Sequence, residues 1–419
     1  MSMDVRSYKS VKERRLALEK EYQVDLENIG SFTFDESIVS TRNCENLIGV
    51  SQIPLGIAGP LKTNYSSSGA KAESRSNNSR QVEDAPRGTR TVSYYIPLAT
   101  TEGALVASIS RGCKAVTQSG GTSVFVESVG MTRGPVFKAK NLSDAMSAEI
   151  WIQEHFQDLA RTAESTSIHL KLLKADYKVV GRNLFVRFSF DTQDAMGMNM
   201  VTIATAEIVK QIEEKTKATC VSLAGNFDID KKPAWLNFIN GRGKKVWAEV
   251  TLSKNVVSDV LKTTPQKIFD VWLTKSMMGS AISGSMGFNA QFANVVAAMF
   301  LATGQDPAHI VEGSMGMTTA EVLENGDLYF SIYLPSLIVG TVGGGTGLGT
   351  QKEALSILGV VGGDNGKNAK KFAEIIGGAV LAGEISLLAS LAEGTLAKAH
   401  QSLGRGKIRI SKSEIRNKF

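Results

Sequence analysis

Between Phe137 and Ser222 the apolar pattern changes period twice. Helical spacing around Trp151 to Ala163 gives way to the alternation of KVVGRNLFVRFSF, and a further helix opens at DAMGMNMV. Spacing near 3.6 marks one face of a helix and spacing of 2 a half-buried strand, so this stretch reads as a separate α/β unit within a longer chain. The full 419 residues exceed the size at which a single core stops growing, and two or three folding units are expected.

The flanks are patterned differently. MSMDVRSYKSVKERRLALEKEY lacks the apolar stretch of an export signal and reads as a charged helix. ENLIGVSQIPLGIAGPL is apolar but broken by Pro and Gly, hence strand and turn, and the polar run 62–91 reads as an exposed loop or flexible hairpin. Thr100 and Thr101 precede EGALVASISRGCKAV, where Leu105, Ile109, Cys113 and Val116 fall at helical spacing, so a capped helix is expected to start at Glu102. A charged turn, DIDKKPAW, follows the α/β unit, and a long small-residue helix is expected from about Phe372 to His400. The 40 glycines against 9 prolines exceed the ordinary share of flexible backbone and require a structural reason.

Composition excludes several function classes. A net charge of +6 is small for this length, and no basic run interleaved with aromatics is present, so no nucleic-acid groove is expected. Cys44, Cys113 and Cys220 have no paired spacing and the four histidines no ligand spacing, which points to a reducing, cytoplasmic compartment and no metal. The longest uncharged stretch, Ser276 to Gln305, contains Asn289, Gln291, Asn294 and several glycines. It is too polar for a bilayer span and reads as a buried helix or subunit contact, with no membrane involved.

Several constellations could carry chemistry. Ser108, Arg111 and Lys114 share one helix face at spacings of three, near an N-terminus that attracts anions; the face could hold a phosphate or be a solvated stripe. DAMGMNM (Asp194 to Met200) and GTVGGGTGLGT (Gly340 to Thr350) are turns whose backbone amides can approach a phosphate closely, although the methionines also suit a core. No G-x-G-x-x-G sits between a strand and a helix, so a doubly wound dehydrogenase is not expected. Lys231 and Lys232 stand beside Asp230 at a turn. Asp306, in GQDPAH, should be partly buried and require a cation, which Lys231 could supply. His400, in KAHQ, reads as either structural or chemical.

Taken in order, ENLIGVSQIPLGIAGPL, ATTEGALVASISRGC, DAMGMNM, GNFDIDKKPAW with GRGK, GQDPAHIVEGS, PSLIVGTVGGGT and LAKAH resemble the hydroxymethylglutaryl-CoA reductase family over essentially the whole catalytic region. DAMGMN is more similar to the class I, mevalonate-synthesising branch. The resemblance implies an α+β fold with a helical N-terminal segment (1–44), a large substrate- and CoA-binding domain (45–134 and 223–419) and an inserted small NADP-binding domain (135–222). It implies reduction of hydroxymethylglutaryl-CoA to mevalonate and CoA by two NADPH, ahead of NADH, in the mevalonate route to isoprenoids. The route passes through a mevaldyl-CoA hemithioacetal and mevaldehyde.

By motif, Lys231 would polarise the thioester carbonyl, Glu102 would donate a proton, Asp306 would hydrogen-bond both, and His400 would protonate the departing thiolate. Arg133, Lys232 and Lys275 would clamp the substrate's free carboxylate and Asn294 would orient the catalytic groups. Ser108, Arg111, Lys114 and Lys262 would face CoA. The cofactor would lie between Ser167, Asp194, Met196, Met198 and Asn199 on one side and Gly343, Gly344, Gly345, Thr346 and Gln351 on the other. Relatives form dimers or tetramers with shared sites, so a homodimer or homotetramer is expected, with Glu102 coming from the neighbouring subunit.

The sequence departs from the family pattern in places. Ala224 stands where class I members usually place a serine, and Ile168 where an arginine often meets the NADPH 2′-phosphate. Gly406 follows Arg405 where eukaryotic members carry a regulatory serine, so no phosphorylation switch is expected there. Two competing readings remain at this level: an NAD-dependent enzyme running oxidatively, and a CoA-binding regulator without catalysis. The four catalytic residues together argue against the second.

Overall fold

The computed structural model describes residues 9–27, 29–66 and 89–394. His400, Arg405, Gly406 and most of the 62–91 run lie outside the described residues. Eleven strands occur among those described: β1 (Leu55–Ser66), β2 (Thr89–Ala99), β3 (Thr122–Arg133), β4 (Val136–Lys138), β5 (Lys171–Val180), β6 (Asn183–Asp191), β7 (Thr219–Ser222), β8 (Gly243–Leu252), β9 (Gly287–Phe288), β10 (Gly316–Val322) and β11 (Leu328–Leu337). The chain is a mixed α/β protein.

One long strand joins two sheets. Ser123 to Gly130 of β3 pair antiparallel with β8, whereas Met131 to Arg133 pair with β6. The first sheet runs β3-β8-β11-β10-β9, with the β1–β2 hairpin on the far edge of β3; in the second, β6 lies between β5 and β4, and β7 pairs with β4. On β8, Val246, Ala248, Val250 and Leu252 point inward while Trp247 stays 38% exposed, the period-2 pattern of a sheet covered on one face.

The cover is the helix Lys367–Ala392. It is long and apolar enough to cross a bilayer, yet it is mostly buried within the protein, as suits the central helix of a core. Its close approach accounts for part of the glycine excess. A methyl group at Gly377 would stand 2.5 Å from Val246 Cγ1, and one at Gly112, on the helix Leu105–Gln118, would stand 1.8 Å from the Ala382 carbonyl oxygen. Gly112→Ala is therefore expected to destabilise the fold by about 1–3 kcal/mol or more, read as a lowered denaturation midpoint; an unchanged midpoint would contradict this contact.

Glu374, half-buried on the same helix, has its carboxyl pushed up to about 7 by desolvation, against the pull of Lys370 and Lys371. A raised carboxyl contributes stability below its unfolded value and loses it as pH rises through the folded one. Thermal stability should therefore decline as pH rises from about 4.5 to about 7, and Glu374→Gln should flatten that decline. A slope unchanged in the variant would refute the assignment.

A second core lies under the helices Leu142–Glu154, Phe156–Glu164 and Met198–Lys215, built from Phe137, Ile152, Leu184, Phe188, Phe190, Val201 and Ile208 among others. The single amphipathic helix expected around Trp151 to Ala163 is broken. His155 leaves helical geometry at φ −104°, ψ 21°, with its Nδ1 2.8 Å from the Trp151 carbonyl oxygen. A third, small cluster of Val11, Val39 and Leu47 seats the N-terminal helix Val11–Tyr22. That helix opens on a capping box in which Ser10 Oγ accepts from the Glu13 amide and Glu13 accepts from the Ser10 amide. In the uncharged 276–305 stretch, the helix Phe292–Thr303 buries Phe292, Val295, Val296, Met299 and Phe300 completely.

Candidate active site

The turn following Gly225 is strained. Asn226, Ile229 and Lys231 all adopt left-handed backbone angles, at φ 61°, 50° and 57°, a region that a β-branched residue such as isoleucine rarely enters. The surroundings hold it there: Asn237 Nδ2 donates to the Ile229 carbonyl at 3.0 Å, and the Lys231 amide donates to Glu312 Oε1 at 3.0 Å. Strain retained in this way tends to accompany functional geometry.

Its result is an ion pair. Lys231 Nζ lies 2.8 Å from Asp306 Oδ2, and the other Asp306 oxygen accepts from the Ala308 amide at 3.0 Å, capping the turn Pro307–His309. Desolvation raises the Asp306 carboxyl, but the Lys231 hydrogen bond, the Ala308 amide and the charge of Lys231 oppose it, and the carboxyl lies below its ordinary value. Both side chains keep some exposure, 39% and 29%, so the pair is accessible to a substrate.

Beneath it lies a buried ionic cluster. Arg242, wholly buried, places Nη1 at 2.9 and 3.0 Å from the two Glu312 oxygens and 3.0 Å from Asp230 Oδ1, while Nε donates to Thr132 Oγ1 at 2.8 Å. Its Nη2 reaches Met198 Sδ at 3.4 Å. Arg133 sits 3.5 Å from Asp228, whose carboxyl is raised by desolvation and partly lowered by Arg242 and Arg133. Arg133 is thus engaged by the turn, and Lys232 is exposed with Nζ 3.2 Å from the Asp230 carbonyl oxygen.

The two glycine-bearing loops lie side by side. Ala195 bridges Val342, the Thr341 amide donates to the Asp194 carbonyl at 2.8 Å, and a methyl group at Gly340 would meet the Met196 amide nitrogen at 2.4 Å. The helix Met198–Lys215 begins after Gly197 at φ 92° with no side-chain cap, leaving its first amides available to an anion. Asn199 is exposed there, and Met196 and Met198 are half-buried. Gly343 and Gly344 have positive φ and nothing within 4 Å of where a Cβ would stand, an open cradle suited to a close-lying phosphate or ring. Thr346 Oγ1 donates to the Gly343 carbonyl at 2.6 Å, and Gln351 is half-buried nearby in sequence.

Asp194 departs from expectation. Its carboxylate, 3% exposed, accepts from the amides of Asp364, Gly366 and Ala369 at 2.6, 2.7 and 2.9 Å. Three amides at and just before the start of the helix Lys367–Ala392 occupy it, so its side chain anchors that helix instead of facing a ligand. Ser167 Oγ accepts from the His169 amide at 3.2 Å, and Ile168 is 90% exposed.

The basic stripe is only partly free. Ser108 Oγ lies 3.0 Å from Ser386 Oγ, and Arg111 Nε donates to the same hydroxyl at 3.0 Å, tying both residues to the helix Lys367–Ala392. Lys114, Lys262 and Lys275 are exposed, and Asn294 is half-buried in the first turn of Phe292–Thr303. The stripe's helix begins at Leu105, three residues later than expected, because Thr100 Oγ1 takes the Glu102 amide at 3.0 Å and Ala104 turns left-handed at φ 76°. Glu102 is exposed, and its carboxylate has no hydrogen bond or ion pair among the described residues of this chain. His400 lies outside the described residues.

Sequence reasoning assigned no role to Arg242, Glu312, His309, Asn237 or Thr132. The one available signal was the pair His309 and Glu312 at i, i+3 just after Asp306, a spacing that puts both on one side of a helical turn.

The hydroxymethylglutaryl-coenzyme A reductase family model matches residues 10–405. A 3-hydroxy-3-methylglutaryl-coenzyme A reductase of Methanocaldococcus jannaschii is 51% identical over 398 residues, covering 94% of this chain and 92% of the relative. One of Pyrococcus abyssi is 50% identical, with coverage of 94% and 92%. Among solved structures, the class II reductase of Streptococcus pneumoniae bound to NADPH is similar at a TM-score of 0.63 and 19% identity, covering 93% of this chain and all of that one, a likeness of fold.

Proposed function

Since the chain belongs to the hydroxymethylglutaryl-CoA reductase family, we propose that it reduces hydroxymethylglutaryl-CoA to mevalonate and free CoA at the Lys231–Asp306 pair, consuming two NADPH. The observation that carries this reading is Arg242. One guanidinium contacts Glu312 and Asp230 beneath Lys231 and, on its other nitrogen, Met198 at the start of the helix beside the glycine loops. Reacting pair and cofactor cradle are thereby parts of one rigid assembly.

The uncapped amides after Gly197 and the open Gly343–Gly344 turn fit a dinucleotide. When bound, NADPH would supply one hydride to the thioester and, after exchange of the spent cofactor, a second NADPH would supply one to the aldehyde. Lys231 receives the negative charge that develops on the thioester oxygen, and Asp306 keeps the ammonium charged and aimed. Glu102 of the neighbouring subunit protonates the reduced oxygen. As the C–S bond breaks, the hemithioacetal hydroxyl returns its proton to Glu102 and His400 protonates the departing CoA thiolate; the aldehyde is then reduced on the same lysine and its oxygen takes a proton from Glu102. Arg133, Lys232, Lys275 and Asn294 orient the substrate; Ser108, Arg111, Lys114 and Lys262 face CoA. Ser167, Met196, Met198 and Asn199 on one side and Gly343, Gly344, Gly345, Thr346 and Gln351 on the other would hold the cofactor.

A homo-oligomer is part of this reading. It is supported by Glu102, exposed and unpaired among the described residues, and by a sheet face that the described residues leave uncovered, where Phe125 is 56% and Trp247 38% exposed beside a cavity of about 290 Å³ that also includes Tyr329 and Tyr333. The small NADP-binding unit is 135–222, and the three unbridged cysteines suit the cytoplasm. The test combines purified protein with hydroxymethylglutaryl-CoA and either NADPH or NADH. NADPH oxidation with release of free thiol supports the reading; turnover with NADH only would reverse the cofactor assignment, and an active monomer in sedimentation would overturn the shared site.

A further inference from the structure

His309 has no place in the chemistry above, yet it is fully buried against the reacting pair. Its Nδ1 lies 2.8 Å from Glu312 Oε2, so the ring is fixed by a carboxylate that also holds the Lys231 amide. Its Nε2 is directed to the opposite side, 3.8 Å from Asp306 Oδ2 and 4.0 Å from Asp230 Oδ1, and makes no hydrogen bond in the described structure.

Charge balance identifies what this nitrogen carries. The groups facing the ring are the carboxylates Asp230, Asp306 and Glu312 and the cations Lys231 and Arg242; behind them the charges pair off, Asp228 with Arg133 and Arg187 with Asp176. Three negative charges against two positive leave the cluster one charge short, in a site where Arg242, Glu312 and His309 are all wholly buried. An uncompensated buried charge is costly. A neutral imidazole donating from Nδ1 to Glu312 would, moreover, present its Nε2 lone pair to two carboxylate oxygens.

We propose that His309 is a positioning residue, held as an imidazolium by Glu312, whose Nε2–H supplies the missing positive charge and keeps Asp306 aligned on Lys231. This rests on the reading of Lys231 and Asp306 as the reacting pair. When the imidazolium loses its proton, the cluster becomes net negative, Asp306 turns from the lysine, and the hydride-transfer rate falls without loss of substrate binding.

The test compares wild type with His309→Gln and His309→Leu, each confirmed folded by its melting curve. The glutamine amide can still donate toward Asp306 but cannot titrate. The proposal expects the wild-type rate to decline on the alkaline side through an ionisation that disappears in His309→Gln. It expects His309→Leu to lose about tenfold or more in kcat with KM for hydroxymethylglutaryl-CoA nearly unchanged. An alkaline limb that persists in His309→Gln, or a leucine variant with wild-type kcat, would overturn it. Imidazole nitrogen NMR, with His309 assigned from its loss in the glutamine variant, reads the charge state without turnover. Imidazolium shifts support the proposal and a neutral ring at neutral pH refutes it, even if the wild type does not turn over and the reading of the reacting pair has failed.

Discussion

Lys231→Met is expected to lower kcat for hydroxymethylglutaryl-CoA reduction by about a thousandfold while leaving the denaturation midpoint close to wild type. The reason is the division of labour within the turn. The strained backbone at residue 231 is held by its amide on Glu312 and by Asn237 on Ile229, neither of which uses the lysine side chain. The ammonium, 39% exposed and 2.8 Å from Asp306, contributes little to stability because a partly exposed pair is well screened. Its loss removes the cation that the proposed reaction sets against charge on the substrate oxygen. Steady-state kinetics beside a melting curve check this: a variant that unfolds would make Lys231 structural, and one that keeps within tenfold of wild-type kcat would remove it from the chemistry.

Arg242→Met should show the opposite profile. The guanidinium neutralises Glu312 and Asp230 and satisfies Thr132 with no exposure to solvent. Deleting one partner of such a cluster leaves carboxylates buried without compensation, which costs about 3–5 kcal/mol. The denaturation midpoint should drop sharply. Arg242→Met combined with Glu312→Gln should recover part of the loss, because the second change removes one of the stranded charges. A single variant as stable as wild type would mean that the cluster is not the keystone of this turn.

The two variants illustrate what could be read from the sequence. The pairing of Lys231 with Asp306 was readable because a carboxylate following an apolar helix must find a cation and the nearest charged turn offers one. The helix opening after DAMG lies where the spacing placed it, at Met198–Lys215. Arg242 and Glu312 were not legible: an arginine between two glycines and a glutamate in a short helix look like surface charges until the fold buries them against each other. Asp194 failed for a related reason. An acid at a strand-to-helix turn suggests a ligand contact, but the amides that claim it come from residues 364–369, about 170 positions away in sequence. Periodicity reports neighbours along one element and not the partners brought in by a distant one. The late start of the Leu105–Gln118 helix shows the local limit, since the Thr100 hydroxyl that could have capped it is used one turn earlier.

The most direct measurement is the stoichiometry of the reaction: NADPH oxidised and CoA thiol released, counted in the same purified sample supplied with hydroxymethylglutaryl-CoA, with Lys231→Met as the control. Two NADPH per thiol, abolished in the variant, is the predicted result. One NADPH per thiol, turnover that survives without the lysine, or no oxidation at all would contradict the assignment of a two-hydride reduction to the Lys231–Asp306 pair.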